Sequence, residues 1–376
     1  MEPFLVSVTV CVRDGYDWIS GCLEALRLQT YPAIEILVVN DGSSDDAESI
    51  LDQWNDPEGL NGHPIRVHNQ GQLGLAAGRQ WALKHAKGEW VAITDIDVRP
   101  EQDWISNLVA EIQPVSDDER VVAVTGRTVF ERADDLVSRF RSVEIASKYR
   151  SRPRRTSLAN GPCSMFHRTS LLEVGGFDPE WYHAEDMEVS LRLIEAGGTI
   201  VYAPEALVRH VPETGITRFL NKRKRDARAH VRIVRHYPKG KRAGPGFDFL
   251  GSSAMVLILF PLWLAIFISG LPFLYEIYRL GTLDWEQLSV LWETKVLIGS
   301  FILLFLHEII LWRGPLGVVN RTVLRSAKGS KIKAMIGVRR LTILWSIALW
   351  HGLILGCLDA VSGKHGHKPL LRTKKN

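Results

Sequence analysis

The chain has 376 residues, 46% of them hydrophobic, with 31 Gly, four Cys and a formal net charge of +4. That composition excludes a disordered chain, a collagen-like fibre and a small disulfide scaffold. The charges are segregated: residues 221–242 hold ten basic and one acidic residue (Asp226), 313–340 hold eight and none, and 362–376 five and none, leaving 23 basic against 41 acidic elsewhere, a net of −18. An acidic body with three cationic segments points to an anionic surface as partner, either membrane lipid or nucleic acid.

In chain order, the opening MEPFLVSVTVCVRDG has neither a basic leader region nor a small-residue cleavage site. It reads as a first strand, Phe4–Val12, of a domain expected to fold in the cytosol. Trp18, Ile19, Cys22, Leu23 and Leu26 follow at helical spacing. Ile34–Val39 is a second buried strand, ending in Asn40-Asp41-Gly42-Ser43-Ser44, a turn cluster that also suits a helix N-cap. Ile65–His68, Trp90–Thr94 and Val121–Thr125 read as further strands, with a helix over Leu75–Ala86 between the first two. Strands alternating with helices imply an α/β domain with a largely parallel sheet covered on both faces. Asp14, Asp41, Asp95 and Asp97 fall just beyond strand carboxyl ends, where such sheets form their ligand crevice. Cys11, Cys22, Cys163 and Cys357 form no CxxC pair, so they read as small buried hydrophobes and not as a zinc or dithiol motif.

The pattern changes after about residue 245. Gly251–Tyr275 is a run of 25 residues without a charge, long enough to span a bilayer; Val296–Trp312 (17 residues, with His307 and Glu308) and Leu341–Leu358 (18 residues, with His351) are weaker candidates. Basic flanks around a loop of two basic and four acidic residues at 276–295 fit the positive-inside rule for two spans. The third segment either crosses, leaving the basic tail outside, or lies in the interface, leaving it inside.

Three blocks carry the chemistry: IEILVVNDGSSDDAES, then NQGQLGLAAGRQWALKHAKGEWVAITDIDV, then GPCSMFHRTSLLEVGGFDPEWYHAEDMEVSLRLIEAGGTIVYAPEALVRH. In this order, over about residues 5–212, they resemble the family 2 glycosyltransferases of the GT-A fold. The resemblance implies a nucleotide-sugar donor, with Asp95-x-Asp97 as the DxD motif. Asp97 is then the main ligand of a Mn²⁺ or Mg²⁺ ion that neutralises the leaving diphosphate, with Asp95 as helper and His210 as a further ligand. It implies a base contact for Asp41, a pocket lined by Arg13 and Asp14, and a diphosphate or base contact for Arg79, beside which Gln80 stands where the family carries Asn. Glu185-Asp186 is then the catalytic pair, with Asp186 the base that deprotonates the acceptor. Each motif has a plainer reading: Asp41 as a helix cap (although Ser43 or Ser44 suits that position), Arg79 as a surface arginine, Glu185-Asp186 as charges favoured at a helix N-terminus.

The Gln-x-x-Arg-Trp string of the family's chain-elongating synthases does not occur. In its place stands RFLNKRKRDARAHVRIVRHYP, with a thin stripe of Phe219, Leu220, Ala227, Val231, Ile233 and Val234. That suits a helix on an anionic leaflet, offering Arg223, Arg225, Arg228 and Arg232 to a lipid phosphate. A second cluster, Lys148, Arg150, Arg152, Arg154 and Arg155, reads as an acceptor loop or a solvated one.

The expectation is a GT-A catalytic domain over 1–215, a basic interfacial region over 216–248, a membrane region over 249–361 and a basic tail. The membrane, and not nucleic acid, is the expected partner, with the catalytic domain cytoplasmic. The expected activity is inverting transfer of one sugar to a hydroxyl of a lipid-linked saccharide, because a lipid phosphate, already ionised, needs no base. The alternatives are charging of a polyprenyl phosphate carrier and a catalytically silent membrane scaffold.

Overall fold

The computed structural model describes residues 3–114, 116, 119–150, 152–238, 251–281, 285–327 and 329–363. The basic tail from Lys364 onward, and Lys239, Lys241 and Arg242, lie outside the described residues.

The first half alternates as its hydrophobic pattern demands: β1 (Val6–Val12), α1 (Tyr16–Arg27), β2 (Ile34–Asp41), α2 (Ala47–Trp54), β3 (Ile65–Gln70), α3 (Leu75–His85) and β4 (Trp90–Asp95). The β5 strand (Val98–Pro100), α4 (Trp104–Ala110), β6 (Val121–Phe130), α5 (Leu136–Arg150), β7 (Arg155–Thr156) and β8 (Ser164–His167) follow. The domain closes with α6 (Arg168–Glu173), α7 (Glu185–Glu195), β9 (Thr199–His210) and α8 (Ile216–His236). The strands form one 9-stranded sheet in the order β3-β2-β1-β4-β8-β6-β9-β5, with β7 on β9. β1 to β4 run parallel, as do β6 and β9; β8 opposes both β4 and β6, and β5 and β7 oppose β9. Six strands therefore point one way, so the sheet is mostly parallel but mixed.

Alternation along the strands fills two layers. Ile36 and Val38 face Ile19, Leu23, Leu26 and Trp104 on one side, while Leu37 and Val39 face Ala82, Leu83, Val189 and Leu193 on the other. Both faces are covered, so β1 and β2 are buried almost throughout. The register slips between Thr125 and Arg127 because Gly126 lies against β9, where a Cβ would come within 2.2 Å of the Ala206 carbonyl oxygen. Cys22 and Cys163 are buried; Cys357 is exposed, contrary to the expectation for all four. The cluster read as a loop is largely regular: Lys148 and Arg150 end α5, and Arg154 and Arg155 both bind Glu119.

The remaining helices are α9 (Gly251–Leu257), α10 (Leu259–Leu280), α11 (Trp285–Val290), α12 (Trp292–Arg313), α13 (Pro315–Arg325) and α14 (Lys331–Val361). Three stretches, Ala254–Leu280, Trp292–Arg313 and Lys331–Val361, are long and apolar enough to cross a membrane. The last of them touches the α/β domain along its length. Gly337 lies against Leu136 of α5, and Trp345 meets Phe140 and Phe219 edge-on at 6.1 and 5.5 Å between ring centroids. A Cβ on Gly352 would stand 2.1 Å from the Lys224 carbonyl oxygen, and one on Gly356 2.8 Å from Val231. Asp359 accepts two hydrogen bonds from Arg228, at 2.5 and 2.7 Å. The α8 and α14 helices therefore run side by side in the same direction, brought close by two glycines spaced four apart.

This corrects the reading of α8 as a helix with its apolar stripe in a leaflet. Phe219, Ala227 and Ile233 are buried against protein: the first two pack with Trp345 and Leu349, the third with Trp181, Met187 and Leu191. Apolar side chains gain as much from a packed helix face as from lipid, and backbone approach at Gly352 makes that face available. Gly352→Leu is expected to cost about 1–3 kcal/mol by overpacking, read as a lower thermal midpoint of the detergent-solubilised protein. An unchanged midpoint would mean that α8 and α14 are not docked.

Candidate active site

A cleft of about 430 Å³ opens beyond the carboxyl ends of β1, β2 and β4 and is walled by the start of α7 and by α8. Arg13, Asp41, Arg79, Asp95, Glu185 and Asp186 line it. Six of the residues singled out in the sequence thus converge from five separate segments of the chain.

Arg79 is the organising residue. Its guanidinium is buried and bridges two carboxylates, Glu185 Oε1 at 2.6 Å and Asp95 Oδ1 at 2.9 Å. Burial opposes its charge, but Glu185 and Asp95 outweigh that and hold its pKa above the ordinary value. Burial likewise pushes Glu185 up to about 7, against the pull of Arg79. Arg79, expected as a donor contact, lines the cleft and ties the DxD strand to the ED helix. Gln80, the departure from the family pattern, clamps the turn before that helix: its amide nitrogen donates to the Gly175 carbonyl and its oxygen accepts from the Phe177 N–H.

Glu185 and Asp186 differ in their surroundings. Glu185 is buried on Arg79, whereas half-buried Asp186 accepts from the Gly161 N–H at 2.9 Å and from the Met187 N–H at 2.8 Å. Ala184, just before them, adopts the left-handed conformation at φ 60°. A non-glycine residue there is strained, and such strain gathers at functional sites; nothing in the sequence marked it.

Asp41 braces a loop. Its carboxylate accepts from Gln70 Nε2 and from the Leu73 and Gly74 N–H groups at 2.7–3.0 Å. It does not cap α2, and neither Ser43 nor Ser44 does so. Asp14, at φ 50°, instead accepts from the Ser44 N–H and hydroxyl, which holds its pKa below the usual carboxylate range. Arg13 donates to the Asp41 carbonyl at 3.3 Å.

Asp97 and His210 meet at 3.4 Å, Oδ2 to Nε2. His210 Nδ1 bonds the Val211 carbonyl at 2.8 Å, so that nitrogen carries the hydrogen and Nε2 turns a lone pair towards Asp97. Burial lowers the His210 pKa, which keeps the ring neutral. Two electron-pair donors facing each other are a fitting start for a divalent cation. Asp95 does not complete the set, because it is turned to Arg79; among the described residues no three His, Cys, Asp or Glu groups converge to hold a metal.

The four arginines expected at a lipid phosphate have different fates. Arg225 lines the cleft. Arg223 is buried and pairs with Asp226 at 3.0 Å. Arg228 is held by Asp359, and Arg232 stacks on Trp181 at 3.9 Å and donates to the Glu180 carbonyl.

Residues 7–175 match the family model described as glycosyl transferase family 2, so that stretch carries a family 2 glycosyltransferase domain. The pre-mycofactocin glycosyltransferase of Mycobacterium tuberculosis is 28% identical over 212 residues, 54% of this chain and 42% of that protein. The glucosyl-dolichyl phosphate glucuronosyltransferase of Haloferax volcanii is 28% identical over 228 residues, 54% of this chain and 68% of that protein. A mannosyltransferase from Pyrobaculum calidifontis, solved with GDP-Man and Mn²⁺, superposes with a TM-score of 0.52 at 18% identity, over 96% of this chain and 87% of that one. The fold is that of the GT-A glycosyltransferases.

Proposed function

We propose that this chain transfers a single sugar, with inversion, from a nucleotide-diphosphate sugar to a hydroxyl of a saccharide carried on a membrane lipid. The observation that carries this is the placement of Asp186 in a cleft whose far wall, α8, is itself backed by the apolar helix α14. The Haloferax relative, whose name couples its activity to a glucosyl-dolichyl phosphate, supports a lipid-borne acceptor.

The donor lies in the cleft with its diphosphate towards Asp97 and His210. These two side chains would hold a divalent cation, with substrate oxygens and water filling the shell, as Mg²⁺-type ions prefer. When bound, the ion neutralises charge on the leaving nucleoside diphosphate. Asp186 takes the proton of the acceptor hydroxyl as its oxygen attacks the anomeric carbon from the side opposite the leaving group. Arg79 occupies both Asp95 and Glu185, so one carboxylate serves as base, which fits a single displacement. The α10–α12 helical pair spans the bilayer, with the catalytic domain on the cytoplasmic side. The α14 helix, bound to that domain from Gly337 to Asp359, lies along the interface, because a crossing helix could touch the domain on one side only.

The test is a thermal-shift panel of UDP-, GDP- and dTDP-sugars with Mn²⁺ or with chelator, on the wild type and Asp97→Ala. One donor should stabilise the wild type by about 2.7 kcal/mol at a hundred times its Kd, lose that with chelator, and give no metal-dependent shift with the variant. Absence of a metal-dependent shift with every donor would overturn the reading.

A further inference from the structure

A second cavity, of about 230 Å³, lies between α5, α8 and α14 and adjoins the cleft: Leu158, Met187, Asp226 and His230 line both. Its two walls have opposite character. Leu257, Leu349 and Leu353 form one, from the apolar C-terminal region; Lys148, Arg152, Arg223 and Asn160 contribute to the other.

The polar wall is built from bonded side chains, and Arg152 is its cation without a paired carboxylate among the described residues. Arg152 lies 5.6 and 5.3 Å from the Tyr149 and Tyr202 ring centroids and donates to the Leu158 carbonyl at 2.5 Å and Thr156 Oγ1 at 3.1 Å. Arg223, 9% exposed, pairs with Asp226, yet its Nε has no hydrogen-bond partner among the described residues. Burial, and after it the neighbouring Arg141, lower its pKa against the pull of Asp226, Glu144 and Glu213. Asn160, also 9% exposed, donates through Nδ2 to the Tyr149 hydroxyl at 2.6 Å. Lys148 is matched by Glu144 at 3.1 Å.

Fixed cations on one side and leucines on the other, beside the reaction cleft, suit a ligand with an anionic group and an apolar chain. At about 230 Å³ the cavity is roughly half the size of the 430 Å³ cleft, which leaves the larger space to the nucleotide sugar. We propose that this cavity seats the phosphate of the acceptor lipid, a phosphate or diphosphate ester of a long-chain alcohol. The phosphate lies against Arg152 and Arg223, and the first chain carbons lie along Leu257, Leu349 and Leu353. The sugar then reaches Asp186 past Leu158 and Met187. This rests on the lipid-borne acceptor proposed above, and it names which residues of this chain receive it.

The experiment uses the full chain in nanodiscs and four probes: farnesyl diphosphate, farnesol, inorganic pyrophosphate, and the nucleotide sugar with Mn²⁺. Farnesyl diphosphate should raise the thermal midpoint, and farnesol or pyrophosphate at equal concentration should not. Arg152→Leu and, separately, Leu349→Trp should weaken farnesyl diphosphate binding at least tenfold while leaving the nucleotide-sugar shift intact, which also certifies that each variant folds. Pyrophosphate matching farnesyl diphosphate, with Leu349→Trp inert, would make this a free-phosphate site and overturn the lipid assignment. A nucleotide-sugar shift without any farnesyl diphosphate shift would overturn the cavity's role and leave the transferase reading standing. Loss of the nucleotide-sugar shift in the wild type would instead sink the transferase reading itself.

Discussion

Arg79→Leu is expected to lower the stability of the catalytic domain by about 3–5 kcal/mol, the usual cost of removing one partner from a buried ion pair. The loss falls mainly on Glu185, whose side chain is 7% exposed; the Asp95 carboxyl, 33% exposed, can rehydrate at the cleft. At about 2–4 °C per kcal/mol for a domain of this size, the thermal midpoint should fall by roughly 10 °C. Arg79→Leu combined with Glu185→Gln should recover much of that, because the buried acid no longer lacks its cation. Lysine would not substitute, since a single ammonium cannot present two fixed donor edges to two carboxylates. If Arg79→Leu melted like the wild type and lost only donor affinity, the residue would be the ligand contact that the family resemblance implied, and the bridge would have no structural weight.

Asp186→Asn is expected to lower kcat by about 10²–10⁴, the range for a general base, while the metal-dependent stabilisation by donor persists. Asparagine retains one acceptor for the Gly161 and Met187 N–H groups, where the carboxylate serves both, so stability should fall by only about 1 kcal/mol. Glu185→Gln makes the contrast: its loss should show in the melting curve through Arg79. Full activity in Asp186→Asn would remove the base assignment, and with it the preference for a hydroxyl over an ionised phosphate as acceptor.

The site was legible in the sequence to the extent that its residues sit at element ends. Asp41 and Asp95 could be placed in one crevice because strand ends have local signals, whereas the Glu185-Asp186 pair was read from the family resemblance and Asp14 does not line the cleft. Which partner each would take could not be read, because partners are set by long-range packing. Arg79 and Glu185 are separated by 106 positions, and no periodicity announces that they share a hydrogen bond. Asp41 shows the same limit: its turn was evident, but the loop it braces arrives from about thirty residues downstream. In the fold, the parallel half followed from buried apolar runs, whereas the opposed strand β8 is four residues long, too short to show a period. Among the C-terminal helices, α10, α12 and α14 were legible as apolar stretches, while α11 and α13 were not. The identity of the α8 partner was not, because a glycine pair acts through what it leaves out.

The packing of Trp345 between Phe140 and Phe219 has a consequence for how the protein divides. By sequence, an enzyme of some 215 residues precedes an anchor, and a cut after the last strand would seem to release a soluble catalyst. Such a fragment would lack α8, the outer wall of the cleft, and would bare the α5 surface that α8 and α14 now cover. Extending it to the end of α8 would keep the wall but leave Phe219 and Ala227 facing water. The smallest self-sufficient unit therefore includes the last helix, so the α/β domain and the apolar C-terminal helices are one folding unit, and loosening one should be felt in the other.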